Sequence, residues 1–91
     1  MTEIKVLYEP LFRRLTGRAS ESIELDKPTI TNLVQSLAQK YDKALRDALV
    51  DPATGSITEG VVVLVNGRSS PLNVELKDGD EVAFFIMAYG G

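Results

Sequence analysis

Residues 29–41 read TITNLVQSLAQKY, and this stretch decides the fold. Its apolar residues recur at the i, i+3, i+4, i+7 spacing that places them in one stripe along an α-helix, namely Ile30, Leu33, Val34, Leu37 and Tyr41. Pro28 ends the preceding segment, and Thr29 can cap the helix through its side-chain oxygen. Because Leu45 and Leu49 continue the stripe, the pattern predicts either one bent helix or a helix followed by a second short one.

Before this helix, two segments alternate between apolar and polar residues, as strands with one buried side do. Residues 4–8 place Ile4, Val6 and Tyr8 on one face, and residues 22–26 do the same with Ile23 and Leu25. Between them, residues 11–17 read LFRRLTG, which predicts a short helical turn that ends in a left-handed glycine. We therefore expect a pair of strands joined through a helical connection.

After the helix, residues 61–65 are continuously apolar, which predicts a strand buried on both faces. Asn66-Gly67 then predicts a type I′ turn. Residues 72–76 alternate and indicate a short edge strand or an extended loop, and residues 81–86 predict the last strand. The order β-β-α-β-(β)-β is typical of an α+β fold in which a mixed sheet of four to five strands packs on one main helix.

The composition fits one small domain and excludes much catalytic chemistry. The chain has 91 residues, of which 44% are apolar and 25% charged, and it contains neither cysteine nor histidine. Disulfides, thiolate nucleophiles, imidazole bases and Cys/His zinc sites are thereby excluded. No phosphate-binding loop is present, and the carboxylates of residues 78–81 lack the ligand spacing of a calcium loop. We therefore expect neither an enzyme nor a metal site.

The net charge and the hydropathy pattern limit the kinds of partner and the cellular location that we expect. A net charge of −3 without a basic stripe argues against nucleic acid as a partner. The N-terminus lacks the features of a signal peptide, and the longest apolar runs fall far below the roughly 18 residues that a membrane span needs. Together with the absence of disulfides, these features favour a cytoplasmic protein that does not bind membranes.

The chain ends in Gly90-Gly91, which allows two interpretations. The pair is either a frayed terminus or a functional tail, because glycines without a Cβ can thread a narrow tunnel in a partner and present the α-carboxylate there. Adenylation by ATP would make that carboxylate open to attack by a sulfur or nitrogen nucleophile. Residues 87–89, Met-Ala-Tyr, either form a contact surface or continue the last strand. We divide the chain into a domain of residues 1–86 and a tail of residues 87–91.

Several segments together resemble the MoaD/ThiS family of ubiquitin-like sulfur carriers. The main ones are the segment LKDGDEVAFF (residues 76–85) and the Gly-Gly end. The strand at residues 4–8, the turn that begins with Phe12, the helix from Thr29 and the VNGR segment (residues 65–68) follow in the order that this family shows. The resemblance covers the whole chain. It implies a β-grasp fold whose first and last strands lie parallel and adjacent at the centre of the sheet.

The resemblance also implies a function for the tail. In this family an E1-like adenylating enzyme of the MoeB/ThiF type activates the terminal glycine, which becomes a thiocarboxylate and donates sulfur, here in molybdopterin synthesis. ATP and magnesium then act through the partner, and this chain binds no cofactor. A large subunit of the molybdopterin synthase type is the second expected partner. Applied to this chain, the resemblance implies that the reactive carboxyl belongs to Gly91 and that Gly90 lets the tail pass through the narrow tunnel of the partner. It also implies that the partner-binding residues are Phe85, Met87, Tyr89 and Arg13.

Two alternatives remain open at the level of sequence. The same fold and tail also serve protein modifiers, in which a lysine amine replaces sulfide and Gly91 ends in an isopeptide bond. The chain could instead be a β-grasp interaction module whose terminal glycines do nothing. The sulfur carrier and the protein modifier both require the carboxylate of Gly91, whereas the interaction module does not.

Overall fold

Eight helices and strands follow one another along residues 1–86, the part of the chain that the computed structural model describes. The strands are β1 (Thr2–Tyr8), β2 (Ser20–Leu25), β3 (Val61–Val65), β4 (Arg68–Ser69) and β5 (Glu81–Ile86). The helices are α1 (Pro10–Thr16), α2 (Ile30–Lys40) and α3 (Lys43–Leu49). None of these helices is long and apolar enough to cross a membrane. The predicted tail lies outside the described residues, so the division at residue 86 stays a prediction.

The strands form one mixed sheet in the order β2-β1-β5-β3-β4. β1 and β5 run parallel, with Val6 opposite Val82 and Tyr8 opposite Phe84, whereas the other neighbouring pairs are antiparallel. The parallel pairing is possible because the whole helical layer lies between β1 and β5 in sequence, which gives the chain room to cross over. This arrangement confirms the expected α+β fold and the adjacency of the first and last strands.

The helices cover one face of the sheet and close a single core there. Thr29 caps α2 by accepting a hydrogen bond from the Asn32 N–H at 3.1 Å, as the sequence predicts. α2 ends at Tyr41, and Asp42 caps α3 by accepting from the Ala44 N–H. The observed structure is therefore the second predicted alternative, two helices. The largest fully buried side chains come from both layers and include Tyr8, Phe12, Phe84, Ile4, Ile30, Leu33, Leu37, Leu45 and Leu49.

The second half of the sheet departs from the prediction in two places. β3 is not buried on both faces, because residues 61–64 are only half-buried and Val65 alone is buried. The helical layer covers one side of this strand and leaves the other side open. The next strand is the two-residue β4, which the sequence does not predict, and residues 72–76 form an extended loop, the second of the two predicted alternatives, from which Leu76 enters the core. The type I′ turn between β3 and β4 is confirmed, since Asn66 and Gly67 have φ values of 51° and 81°.

Asn66 also ties this turn to the start of β5. Its side-chain oxygen accepts from the Glu81 N–H at 3.0 Å, and its side-chain nitrogen donates to Asp80 at 3.0 Å. Asp80 accepts a further bond from the Lys77 N–H at 2.8 Å. These bonds from the Lys77 backbone and from Asn66 lower the pKa of Asp80 below its ordinary value. The register of β5 is therefore held at the beginning of the strand.

Candidate functional site: the exit of the last strand and the open sheet face

Two of the predicted site residues, Phe85 and Arg13, lie in the described structure. The others, Gly90, Gly91, Met87 and Tyr89, lie outside the described residues, and their roles stay predictions. The described chain ends at Ile86, the last residue of β5, which pairs with Val61 at the start of β3. The residues around this end of β5 are therefore the described part of the candidate site.

The parallel pairing brings α1 to the end of the sheet at which β5 finishes. Because β1 and β5 run in the same direction, Tyr8 and Phe84 lie side by side at the ends of their strands. The Glu9 N–H donates to the Phe84 carbonyl at 3.1 Å, and α1 begins at the next residue, Pro10. The start of α1 is therefore placed beside the end of β5 by topology, although Arg13 lies 72 positions before Phe85 in sequence.

Packing of α1 determines which of its side chains face solvent. Pro10 occupies the first turn, and Gly17 ends the helix in the left-handed conformation with φ 78°. Phe12 is fully buried and meets Phe84 edge-to-face, with ring centroids 6.3 Å apart. With Phe12 directed into the core, Arg13 and Arg14 are exposed in the last turn, where cations also interact favourably with the helix dipole. The helix that begins beside the end of β5 thus presents two arginine side chains to solvent.

Phe85 lies on the face of the sheet that the helices leave uncovered. Successive residues of a strand point to opposite faces, and Phe84 is buried in the core, so Phe85 points outward. It is half-buried and stands opposite Val62 of β3. Three further half-buried apolar residues share its face, and the register places them in one row across β1, β5 and β3: Leu7, Ala83 and Leu64.

We call these five residues, Leu7, Val62, Leu64, Ala83 and Phe85, the open-face patch. The sequence predicts Phe85 as part of an exposed apolar surface but misses the other four. The patch spans three strands that are distant in sequence, so only the sheet order reveals it. Polar residues surround it, among them Lys5 and Glu81, whose charged groups lie 3.7 Å apart. A contiguous apolar patch rimmed by polar groups is a surface suited to binding a protein.

Glu21 on β2 is a carboxylate with little solvent exposure, and its contacts give it a structural role. Its side chain is 4% exposed and accepts hydrogen bonds from the hydroxyls of Tyr8 and Tyr41 and from the Lys40 ammonium. Burial alone would raise the pKa of Glu21, but these hydrogen bonds lower it below its ordinary value. Burial, followed by the bond to Glu21, raises the pKa of both tyrosines. Glu21 is therefore a carboxylate whose hydrogen bonds are all made within the fold. The sequence alone does not identify this cluster.

The described residues offer no second centre for chemistry. Within residues 1–86, no three carboxylates group together in a way that could hold a metal ion. A cleft of about 650 Å³ lies between α2, α3 and the following loop and is lined by Val34, Arg46, Ile57 and Leu72 among others. It contains neither Phe85 nor Arg13. The exit of β5 and the open-face patch are therefore the features that the structure offers for function.

Comparison with known proteins shows similarity along the whole chain. A family model described as the ThiS family matches residues 6–91. The molybdopterin synthase sulfur carrier subunit of Mycobacterium tuberculosis (strain ATCC 25618 / H37Rv) is 36% identical over 93 aligned residues, with 100% of both chains covered. The subunit of the same name from Escherichia coli (strain K12) is 33% identical over 91 aligned residues, which cover 97% of this chain and 99% of the relative.

Solved structures agree with this fold. A putative molybdopterin converting factor, subunit 1, from Pyrococcus furiosus superposes with a TM-score of 0.79 at 28% identity and covers 97% of this chain and 100% of its own. The small archaeal modifier protein 1 from Methanosarcina acetivorans superposes with a TM-score of 0.86 at 24% identity, with 100% and 98% covered. At that identity, the second similarity shows the fold alone.

Proposed function

The chain belongs to the ThiS family, and from that premise we propose that it is a sulfur carrier acting in molybdopterin synthesis. The carboxylate of Gly91 attacks the α-phosphorus of ATP on an adenylating partner, and pyrophosphate leaves. Hydrosulfide then attacks the carbonyl carbon of the acyl-adenylate, so that a C–S bond forms as the C–O bond to AMP breaks, and a thiocarboxylate is left at Gly91. The chain supplies the carboxyl group and a docking surface, while ATP, magnesium and sulfur come through its partners.

One observation carries this proposal: two relatives similar over their full length are named sulfur carrier subunits, and this chain ends in Gly90-Gly91 as the chemistry requires. These names agree with the prediction that the chain is a carrier rather than an enzyme. The relatives are named as subunits of molybdopterin synthase, so we propose a large subunit of that type as the sulfur-accepting partner. An E1-like adenylating enzyme and a cytoplasmic location complete the proposal.

We propose that the open-face patch and α1 are the surfaces that dock these partners. Phe85 and Ala83 of the patch lie on β5, the strand that precedes the tail in sequence, so a partner seated on Phe85 binds only six residues before Gly91. Arg13 is exposed on α1, which begins beside the end of β5, and its guanidinium can meet an acidic group of the adenylating enzyme. A partner that binds both features holds the tail in one direction, which is the positioning that adenylation needs.

The central experiment is intact-mass spectrometry after reaction with the adenylating enzyme of the source organism. The purified chain is incubated with that enzyme, Mg-ATP and a sulfur donor. We expect a mass gain equal to the replacement of one oxygen by one sulfur, and we expect no change without ATP or after deletion of Gly91. If the complete mixture leaves the mass unchanged while the enzyme adenylates an established substrate, the proposal is wrong.

Two matched pairs of variants test the docking surfaces. Phe85→Asp should abolish adenylation, whereas Ala44→Asp should not, because Ala44 is exposed on α3, in the helical layer on the opposite side of the sheet from the patch. Arg13→Ala should slow adenylation, whereas Arg46→Ala on α3 should leave its rate unchanged. Far-UV circular dichroism confirms that each variant is folded. Equal rates within each pair would refute the assignment of these surfaces.

The same experiments separate the alternatives. A protein modifier predicts Gly91 in isopeptide linkage to lysines, which peptide mass spectrometry of a cell extract detects. An interaction module predicts that deletion of Gly91 leaves the biological role intact. A thiocarboxylate on material purified from the native host, together with loss of function on deletion of Gly91, supports the carrier.

A further inference from the structure

β2 forms one edge of the sheet, and its outer side carries no partner among the described residues. Hydrogen bonding on β1 shows which residues point there. The Tyr8 N–H donates to the Ala19 carbonyl at 2.8 Å, whereas the Lys5 N–H donates to Asp80, on the other side of β1. Since antiparallel pairs alternate, the even-numbered residues of β1 bond to β2, and their partners there are the odd-numbered residues.

The even-numbered residues of β2 therefore direct their backbone groups away from the sheet. Ser20, Ser22 and Glu24 each present an N–H and a carbonyl to solvent, and none of these groups accepts or donates a hydrogen bond within residues 1–86. All three side chains are exposed. We call these three residues the β2 edge.

Strand β2 lacks two of the devices that keep an edge strand from pairing with another chain. Its six residues include no proline and no lysine, and Glu24 is the one charged residue of the β2 edge. The opposite edge of the sheet is protected, because β4 has two residues and Pro71 follows shortly after. The contrast between the two edges identifies β2 as the edge to which a strand of another chain can be added.

We propose that the β2 edges of two copies of this chain pair antiparallel about a twofold axis at Ser22. Ser22 then exchanges both backbone bonds with its own copy, and Ser20 pairs with Glu24 of the other chain in both directions, for about six hydrogen bonds in total. The product is one continuous sheet across both copies. In it, β5, the open-face patch and α1 remain uncovered on each chain.

The charges along β2 select this register and favour a second copy as the occupant. With the axis at Ser22, Glu24 faces a serine, and Arg18 of one copy is brought to Asp26 of the other. An axis at Glu24 would place two carboxylates opposite each other, which is unfavourable. Arg18 has a 52%-exposed side chain, 3.6 Å from Glu21, whose charge Lys40 also balances, so Arg18 is accessible to a second carboxylate.

Sedimentation equilibrium of the full-length chain tests the pairing. An edge contact buries less than a standard interface, so we expect a monomer–dimer equilibrium with a dissociation constant on the order of 100 µM. Measurements up to about 1 mM protein then resolve it. A chain that stays monomeric over this range overturns the proposal.

Two sets of variants show whether a dimer uses the β2 edge. Ser22→Pro removes one outward N–H and leaves every bond between β1 and β2 in place, so it should weaken dimerisation at least tenfold, whereas Ser22→Ala keeps the N–H and should have no effect. Should the proline variant not fold, the charge pair provides the test. Arg18→Glu should weaken the dimer and the double variant Arg18→Glu/Asp26→Arg should restore it. A dimer that neither Ser22→Pro nor Arg18→Glu weakens would use another surface and refute the proposal.

The outcome is independent of the proposed sulfur chemistry. Sedimentation requires neither ATP nor Gly91, so a chain truncated at Gly90 should dimerise as the full chain does. A dimer without thiocarboxylate formation would refute the carrier proposal alone, and thiocarboxylate formation by a strict monomer would refute the edge pairing alone.

Discussion

Replacing Glu21 by alanine should cost about 3 kcal/mol of stability, which is large for a residue outside the apolar core. The Glu21 carboxylate joins three elements, because it accepts from Tyr8 of β1 at 2.6 Å and from Tyr41 and Lys40 at the end of α2. Its side chain is 4% exposed, so solvent contributes little to its solvation. The three contacts bind the sheet edge to the helical layer.

The expected cost follows from what each partner can do after the carboxylate is gone. Tyr41 and Lys40 are partly exposed and regain water, which leaves a net loss of about 1 kcal/mol. Tyr8 is 2% exposed and cannot do so, and a buried hydroxyl without a partner costs about 1–3 kcal/mol. For a domain of this size, a loss of about 3 kcal/mol lowers the melting temperature by roughly 12–24 °C.

Urea unfolding followed by far-UV circular dichroism measures this loss, since the chain has no tryptophan to report by fluorescence. Glu24→Ala on the same strand is the matched control and should change the free energy of unfolding by less than about 0.5 kcal/mol. The double variant Tyr8→Phe/Glu21→Ala should cost less than the two single variants added together, because it removes the orphaned hydroxyl. A Glu21→Ala variant as stable as Glu24→Ala, or full additivity in the double variant, would refute the reasoning.

Three other predictions concern the same domain. The folded-state pKa of Glu21 lies below the unfolded value of 4.5, so the stabilisation by its carboxylate is complete above that value and is lost as the pH falls through the folded-state pKa. Lowering the pH should therefore reduce the free energy of unfolding of the native chain more than that of the Glu21→Gln variant. Parallel curves of unfolding free energy against pH for the two chains would contradict this. Phe12→Ala, which leaves a cavity against Phe84, should cost about 3–5 kcal/mol in urea unfolding, and a loss below about 1 kcal/mol would show that the contact is dispensable. Gly17→Ala should cost about 1–2 kcal/mol through its positive φ alone, since an added Cβ would meet no atom within 4 Å; an unchanged melting temperature would show that the α1 cap tolerates a side chain.

Local patterns predicted the elements whose neighbours in sequence supply their interactions. The α2 stripe, its Thr29 cap, the Gly17 cap of α1 and the Asn66-Gly67 turn all appear where the sequence places them. Each depends on contacts within a few residues, which is why spacing alone reveals it. The stripe through Leu45 left the helix break undecided, because one bent helix and two helices bury the same side chains. Asp42 decided the matter by capping a new helix.

The parts that the sequence did not predict are those that depend on distant elements. β3 reads as a strand buried on both faces, yet the helical layer covers only one of them, and the open-face patch arises from that difference. Glu21 looks like any exposed strand carboxylate until Tyr8 and Tyr41 are brought to it from other elements. β4 has too few residues to show a period.

The sequence by itself determined the α+β class, the absence of cysteine and histidine chemistry and the Gly90-Gly91 end on which the proposed chemistry rests, because composition, periodicity and the final residues are properties of the chain alone. The tertiary structure decided which residues share a surface. Parallel pairing of β1 with β5 brings the start of α1 beside the end of β5, and one-sided helix packing leaves Phe85 half-buried on the open face of the sheet. Both result from contacts between residues far apart in sequence, whose pairing only the closed core determines.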